Sequence, residues 1–565
     1  MGDGYFIGVD TGGTYTDAAI LKAGTSDVLA RAKALTTRGD LAIGVSEAIA
    51  RALTQLGGTA AASKVKLVSV STTLATNAVV EGHGSAVGVV LIGFDDTMVA
   101  RTGIAEAFPG IAVIRVAGGH NHNGAAVAPL DLAELEAKVE IVARNVDAFA
   151  VAGQFAVRNP GHEEAAREAI VRLTGKPATL SSELSSALDA PRRALTAVLN
   201  ARLISRISLL IAAVEKSMEG FGISAPLMIV KGDGTLALAE TVVMRPIETI
   251  LSGPAASLVG AATLCGLKDF VLSDMGGTTT DLGFLKDGRP MVSEFGAEVG
   301  GWRTMVRAIG ARTVGLGGDS EVSLHHSGAL NVGPRRVVPL SLLASRYGEV
   351  VTQLEAELSE PSSGVMARFA LLPMGSSGAG VKPQGLNSRE AAMLEQITER
   401  PQALSRIAAS SALQRTLGAL QRKGLIQIGG FTPSDAAHVM NLQDNWSREA
   451  AMLGARIMAR IRDDKNSGDE GALRFSRDVW HETVTQSGKA ILEASLPGRL
   501  KAGDAAIVEA VCRGEGRLGR AVVSVAPDVP VVAVGGPVKV YYEEVGRRLG
   551  AEVVFSDFCD VANAV

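Results

Sequence analysis

The sequence predicts an α/β protein built on two duplicated domains, and three observations carry that expectation. Residues 6–24, FIGVDTGGTYTDAAILKAG, and residues 270–288, FVLSDMGGTTTDLGFLKDG, align without a gap. Apolar runs such as 87–94 and 148–155 alternate with amphipathic stretches at 40–56 and 130–145, the pattern of a sheet covered by helices. A length of 565 residues with 47% apolar and 20% charged side chains supplies cores for about three to five domains, which excludes a disordered or fibrous chain.

Charge and cysteine content narrow the function. A net charge of −4 gives no electrostatic basis for a general nucleic-acid or anionic-membrane binder, so the expected partner is a small molecule. Cys265, Cys512 and Cys559 are odd in number and far apart, which suggests neither a disulfide framework nor a thiolate zinc site and fits a reducing cytoplasm. The opening MGDGYFIGVD has no basic region followed by a long apolar one, so no signal peptide is expected. Residues 249–267 carry no charge over nearly the length of a membrane span, but Pro254 and several Gly, Ser and Thr residues mark a buried helix. Ser252 is expected as its N-cap, with Pro254 in the first turn. Its N–H groups either face a phosphate or simply begin a capped helix.

The two aligned segments share Asp10/Asp274, Gly12/Gly276, Gly13/Gly277, Thr14/Thr278, Thr16/Thr280 and Asp17/Asp281. Each reads as a strand, a Gly-Gly turn and a second strand. Glycine permits positive φ and close approach, so successive N–H groups can line one concavity for an anion, with Thr hydroxyls as further donors. A carboxylate beside that anion, Asp10 or Asp274, repels phosphate unless a cation stands between them, and magnesium does this through carboxylates, waters and phosphate oxygens. Thr11, Gly12, Gly13 and Thr14 in one copy, and Gly276, Gly277, Thr278 and Thr279 in the other, are therefore expected to hold a nucleotide's phosphates. Asp10 and Asp274 are the expected catalytic and magnesium-organising residues. Asp17 and Asp281 either serve the site or hydrogen-bond their own hairpins. Two copies imply two related domains facing a nucleotide cleft.

Paired turns of this kind resemble those of the actin, sugar-kinase and acetate-kinase superfamily, which implies two actin-like (ribonuclease H-like) domains. Within it, DTGGTYTD (10–17), STTLATNAVVEG (71–82), QFAVRNPGHE (154–163), LSGPAAS (251–257), DMGGTTTD (274–281) and DVANAV (560–565) resemble the signatures of the hydantoinase/oxoprolinase family, in its A-type branch. The resemblance covers most of the chain in the family's order. It implies ATP and magnesium as cofactors and ATP-driven opening of a cyclic amide, such as a hydantoin, 5-oxoproline or related lactam. Phosphorylation of the carbonyl oxygen would turn an unreactive amide into an imidate that water can open. It also implies a partner, a B-type hydantoinase chain, and hence an oligomer. Carboxylases that activate a ketone as its enol phosphate use the same kind of chain, and an actin-like ATPase that reactivates or regulates a partner protein is the other alternative.

The expected division is an N-terminal domain over 1–190, a second domain over 191–350 plus 520–565, and a mainly helical insertion over 351–519. A helix around 182–211, carrying Asn200, is expected to cross into the second domain. GLGGDS (315–320) and VGPRRVVPL (332–340) read as glycine-rich loops at strand ends, bringing Gly317 and Gly318 to the cleft. The resembled superfamily backs adenosine with a Gly-Gly turn near the end of the chain, which assigns that role to Gly535 and Gly536. Residues 388–439 have the cadence of a winged helix. Their basic residues Arg389, Arg400, Arg406, Arg415, Arg422 and Lys423 read more simply as a solvated face than as a DNA-binding one. No GxSxG elbow or HExxH motif is present, so neither a serine hydrolase nor a metalloprotease is suggested. His120 and His122 form a pair without an identifiable third metal ligand, as do His325 and His326, and His83 stands apart. Thr73, Asn77, His120 and Arg158 are the expected substrate-side residues.

Overall fold

The computed structural model describes residues 4–565 apart from 14, 37–40, 81, 83, 326, 374–384, 409, 464–467, 497 and 499–501. Thr14, His83 and His326 thus lie outside the described residues. The chain divides into two compact units. The first is Met1–Lys268 with Gly283–Ala311 and Val561–Val565, and the second is Asp269–Leu282 with Arg312–Asp560.

The first unit is built on a mixed sheet of β1 (Tyr5–Thr11), β2 (Tyr15–Lys22), β3 (Val28–Leu35), β4 (Val65–Thr72), β9 (Leu227–Val230) and β10 (Leu236–Leu238), in the order β10-β9-β4-β1-β2-β3. β2 runs antiparallel to both β1 and β3, whereas β4 runs parallel to β1 and β9 parallel to β4. Residues 7–11 of β1 and 16–21 of β2 are buried without alternation, as expected of strands covered on both faces. Helix α1 (Leu41–Thr54) packs against β2 and β3.

A second, all-parallel sheet in this unit has the order β6-β5-β7-β8, with β5 Val87–Ile92, β6 Ala112–Val116, β7 Ala148–Gly153 and β8 Ala178–Leu180. β5 and β7 are buried along their whole length, so they read as continuous apolar runs rather than alternating ones. After α2 (Leu74–Val80), the helices α3 (Leu132–Ala143) and α4 (Gly161–Thr174) complete a core of Val90, Ile92, Leu135, Val139, Phe149 and Ile170.

Helix α5 (Ala190–Phe221) is long and apolar enough to cross a membrane by length and composition, but most of its apolar stretch is buried in the fold. Asn200 explains why it sits there. Its amide donates to Thr179 Oγ1 and the Met244 carbonyl and accepts from the Ile247 N–H, tying α5 to two neighbouring segments. The helix therefore stays wholly within the first unit and does not cross into a second domain at residue 190. The charge-free segment becomes α6 (Ser252–Cys265), a largely buried helix as expected.

In the second unit, β11 (Phe270–Met275) and β12 (Thr280–Lys286) form the second hairpin, β12 leaving the unit after Leu282. β13 (Arg312–Val314) pairs with β12, and on the other side β20 (Val531–Val534) runs parallel to β11 and β21 (Val553–Phe555) parallel to β20. The order β13-β12-β11-β20-β21, with a further two-residue strand at Arg289–Pro290 also pairing with β12, repeats β3-β2-β1-β4-β9, so the duplication read from two turns extends to the sheets.

β14 (Ser320–Leu324) pairs antiparallel with β15 (Leu330–Arg336); residues 332–336, expected in a loop, are strand. A small sheet has the order β16-β19-β17-β18, with β16 Val338–Pro339, β17 Phe369–Leu371, β18 Gln402–Ala403 and β19 Gln427–Gly430. The 351–519 region is otherwise mainly helical. Its α7 (Ser388–Gln396) and α8 (Ser411–Arg422) bury Met393, Leu417 and Leu420 with Ile426 and Ile428. Of the basic residues there, Lys423 pairs with Glu390 at 2.7 Å and Arg400 with Glu349 at 3.6 Å, while Arg389, Arg406, Arg415 and Arg422 are at least partly exposed. Helices α9 (Pro433–Val439) and α10 (Val538–Leu549) follow in the same unit.

Candidate functional site

The first hairpin closes with the Gly12 N–H donating to the Tyr15 carbonyl at 3.0 Å, and the second repeats this with Gly276 and Thr279 at 2.9 Å. The first glycine of each pair is therefore occupied by the turn. The N–H groups of Gly13, Gly277 and Thr278 have no backbone acceptor among the described residues and remain for a ligand. None of Gly12, Gly13, Gly276 and Gly277 has positive φ, so the expected left-handed backbone is not what glycine supplies. Close approach is: a Cβ at Gly12 would lie 3.0 Å from the Tyr15 carbonyl oxygen, and one at Gly277 2.6 Å from Asp319 Oδ2.

Asp10, at the end of β1, is buried and held from both sides. Ser71 Oγ on β4 donates to its Oδ1 at 2.5 Å, and Asn563 Nδ2 donates to its Oδ2 at 2.7 Å. Thr73 follows β4, its N–H donating to the Thr11 carbonyl at 3.2 Å, and Asn77, one turn along α2, donates from Nδ2 to Thr73 Oγ1 at 3.3 Å. A Cβ at Gly13 would lie 3.9 Å from Asn77 Nδ2, so Thr73 and Asn77 stand beside the first turn.

Helix α6 begins against the same residues, since a Cβ at Gly253 would lie 3.3 Å from Thr73 Cγ2 and 3.9 Å from Asp10 Oδ1. Ser252 is not its N-cap. Its hydroxyl donates to the Thr72 carbonyl at 2.9 Å, and the capping position falls to Leu251, whose side chain caps nothing. Leu251 has φ 63°, a left-handed conformation that a leucine adopts only where its surroundings impose it; its N–H donates to Thr76 Oγ1 at 3.0 Å. The unsatisfied N–H groups of the first turn of α6 are thus set beside Asp10.

In the second unit, the Gly318 and Asp319 N–H groups donate to the Gly276 and Gly277 carbonyls at 3.1 and 2.7 Å. A Cβ at Gly317 would lie 2.4 Å from the Gly277 carbonyl oxygen, so the expected partnership of Gly317 and Gly318 with the second turn is direct backbone packing. Asp319 receives Arg336 at 3.2 Å, and burial still holds its carboxyl above the usual range. Gly535, between β20 and α10, has φ +103°, and a Cβ there would lie 2.1 Å from the Met275 carbonyl oxygen and 3.1 Å from Asp274 Oδ1. Gly535 therefore backs the end of β11 and Asp274, while the Cβ direction of Gly536 is open.

The remaining acidic pair is explained by strand pairing. Asp17 faces Lys33 across β2 and β3 and binds its Nζ at 2.7 Å; Asp281 faces Thr313 across β12 and β13 and accepts from its hydroxyl at 2.5 Å. Burial raises the Asp281 pKa, opposed by Thr313 and Thr279.

His120 and Arg158 lie elsewhere, after the carboxyl ends of β6 and β7. His120 is buried, its N–H donating to the Gln154 carbonyl at 3.0 Å and its ring 4.3 Å from that of His162. His162 Nδ1 accepts from the Gly119 N–H at 3.0 Å, and burial lowers the pKa of both imidazoles. Arg158 and His122 are exposed. Among the described residues no three His, Cys, Asp or Glu side chains gather as a metal site, so His120 and His122 have no third partner there.

The fit of the first turn to a nucleotide and its magnesium rests on two further atoms. Among the described residues, Thr11 Oγ1 and Asn563 Oδ1 are buried without a hydrogen-bond partner, an arrangement costly in a closed protein and suited to a polar ligand. Ser71, Ser252 and Asn563 were not singled out as site residues from the sequence, although all three fall within the family-like segments quoted above.

These features define a duplicated α/β fold that carries one Asp-x-Gly-Gly-Thr hairpin in each unit. The chain belongs to the hydantoinase/oxoprolinase family: the model of the family's N-terminal region matches residues 6–174 and the hydantoinase/oxoprolinase model matches residues 193–348, together more than half of the chain. It is 30% identical to the alpha subunit of caprolactamase from Pseudomonas jessenii, over 59% of this chain and 50% of that protein. It is 28% identical to the acetophenone carboxylase gamma subunit of Aromatoleum aromaticum, over 58% and 49%. The chain thus spans about half the length of these curated relatives. Its fold is shared with the ATP-dependent caprolactamase from Pseudomonas jessenii (TM-score 0.64, 20% identity, 99% of this chain and 70% of that one). Acetone carboxylase in its nucleotide-free structure is equally similar (TM-score 0.64, 15% identity, 99% and 69%).

Proposed function

We propose that this chain is the nucleotide-using part of an enzyme that opens a cyclic amide, a lactam or cyclic imide, by phosphorylating its carbonyl oxygen with ATP. The observation that carries the reading is the retention of a carboxylate and free loop N–H groups in both hairpins, at the end of β1 and again at the end of β11. Asp10 in the first unit and Asp274 in the second are each suited to hold magnesium through water, and the ion would supply charge neutralisation to the phosphates. Gly13, Gly277 and Thr278 donate backbone N–H groups to phosphate oxygens, and Thr11 contributes its hydroxyl. Gly317 and Gly318 brace the second turn, and Gly535 with Gly536 shapes the adenosine side. Thr73 and Asn77 stand where they can orient the reacting carbonyl, whereas His120 and Arg158 belong to a separate edge of the same unit.

In the step itself, the amide oxygen forms a bond to the γ-phosphorus as ADP leaves and the amide N–H proton is lost. Water then adds to the imidate carbon, the ring C–N bond breaks with its electron pair and a proton going to nitrogen, and a second water releases phosphate from the acyl phosphate. The names of the relatives support ATP-dependent lactam chemistry first and ketone carboxylation close behind it; both are enzyme subunits, which favours a multisubunit enzyme over a partner-reactivating ATPase. A B-type hydantoinase chain is the expected partner.

The test is phosphate release from Mg-ATP by the purified chain, alone and with a candidate B-type partner, against lactams, hydantoins, 5-oxoproline and simple ketones. Stimulation by a cyclic amide, abolished in Asp10→Ala and in Asp274→Ala, is expected. Stimulation by ketones alone would replace the reading by a carboxylase, and failure to bind ATP would sink both.

A further inference from the structure

Residues 561–565 enter the first unit's site through a slot that tolerates no side chain on either wall. A Cβ at Gly8 on β1 would lie 1.9 Å from the Ala564 carbonyl oxygen, and one at Gly260 on α6 would lie 1.8 Å from the Ala562 carbonyl oxygen. The Ala564 side chain packs with Ala19 and Leu21 of β2. What this seating delivers is one amide. Asn563 Nδ2 donates to Asp10 Oδ2 at 2.7 Å and reaches Asp17 Oδ2 at 3.4 Å, while Ser71 Oγ, which holds the other Asp10 oxygen, also reaches the Asn563 carbonyl at 3.3 Å. Two carboxylates around one end of the amide assign that end as the NH2 group.

We infer that Asn563 is a positioning residue for Asp10, fixing the orientation in which its carboxylate meets a metal-bound water. The inference rests on the reading of Asp10 as a magnesium-organising residue. Ser71 donates to one carboxylate oxygen and Asn563 to the other, so the carboxylate cannot rotate without losing both bonds. A carboxylate free to rotate would still attract magnesium by charge, but in several orientations, and binding would carry the cost of selecting one.

A double-mutant cycle on the full chain tests this, read by calorimetric binding of ATP with and without magnesium. Asn563→Leu is expected to weaken Mg-ATP by about ten-fold or more, the scale of a hydrogen bond to a charged group, and metal-free ATP by less than about two-fold. In an Asp10→Asn background, adding Asn563→Leu is expected to change Mg-ATP affinity by less than about two-fold, because the group it acts through is already gone. Ser71→Ala, which removes the donor to the other Asp10 oxygen together with the weaker contact to the Asn563 carbonyl, should show the same magnesium-specific loss; if Asn563→Leu does not fold, Asn563→Ser takes its place in the cycle. Additive losses, or equal losses with and without magnesium, would mean that Asn563 only anchors its own segment. Absence of Mg-ATP binding by the unmutated chain would overturn the ATP reading itself, and the positioning role with it.

Discussion

Glu163 and Arg193 are both buried, yet they meet through shared partners rather than directly. The Ser181 hydroxyl donates to Glu163 Oε1 at 2.6 Å and accepts from Arg193 Nε at 3.3 Å. Gly153 donates its N–H to the same Oε1 at 2.7 Å and accepts Arg193 Nη2 on its carbonyl at 3.2 Å. Ser182 satisfies the other carboxylate oxygen with its N–H and hydroxyl. This network pins the end of β7, next to Gln154, whose carbonyl accepts the His120 N–H. Arg193→Met would leave Glu163 as a buried charge without its counter-charge, for which about 3–5 kcal/mol of lost stability is expected. Urea unfolding of the variant checks this, and a second loss on adding Glu163→Gln should be much smaller than that change alone produces. A loss below about 1 kcal/mol in Arg193→Met would show that Ser181 and Gly153 suffice without it.

The His120–His162 pair beside that network predicts a pH dependence of stability. Burial lowers both pKa values from 6.5, Glu163 partly opposing this at His120 and the charge of His120 reinforcing it at His162. The neutral His162 keeps its proton on Nε2, because Nδ1 accepts the Gly119 N–H. Below pH 6.5 the unfolded chain binds protons that the folded chain refuses, so stability is present above that value and is lost as pH falls towards the depressed folded values. His162→Gln should flatten the fall between about pH 7.5 and pH 5.5 in urea unfolding midpoints. An unchanged slope would place the histidine titration elsewhere.

Asp319 and Arg336 give the opposite sign in the second unit. Burial raises the Asp319 pKa above 3.8 and Arg336 opposes the rise. A raised folded pKa means that stability falls as pH climbs from 3.8 through the folded value. Arg336→Met, by removing the opposing charge, extends that loss to higher pH. The deficit of the variant relative to the parent should therefore be larger at about pH 8 than at about pH 5. Since the Asp319 N–H also braces Gly277 at 2.7 Å, the same variant should weaken ATP binding more at the higher pH.

Much of the fold was legible because its signals are local. The two hairpins announce themselves by repetition, and β5 and β7 by unbroken apolar runs that only strands buried on both faces can carry. The parts that were not legible depend on distant partners. Serine is favoured at any N-cap, but Ser252 is drawn off by the Thr72 carbonyl, and the entry of α6 is made instead by a strained Leu251. Nothing near Asn563 in sequence indicates that it touches Asp10. The sequence around residue 190 gives no sign that α5 is fastened by Asn200, whose partners lie at Thr179 and Met244.

The Gly535–Gly536 pair allows the cleanest separation of backbone need from ligand contact. Gly535 has φ +103° and no room, the Met275 carbonyl oxygen lying 2.1 Å from where a Cβ would be, whereas Gly536 has neither positive φ nor a neighbour within 4 Å. Gly535→Ala must shift β20 away from β11, adding a steric clash to a left-handed conformation that alone costs about 1–3 kcal/mol, so a loss of several kcal/mol is expected in urea unfolding. Because the same Cβ would stand 3.1 Å from Asp274 Oδ1, the shift should also disturb the carboxylate and weaken Mg-ATP binding in whatever fraction remains folded. Gly536→Ala should leave stability within about 0.5 kcal/mol, the range of a substitution away from any packed feature. If it nonetheless weakens ATP binding, the added methyl group occupies space the nucleotide uses, and the adenosine side of the site is located. If ATP binding is unchanged in Gly536→Ala while Gly535→Ala loses both folding and binding, the turn serves only to support Asp274, and the adenosine must be held by other residues.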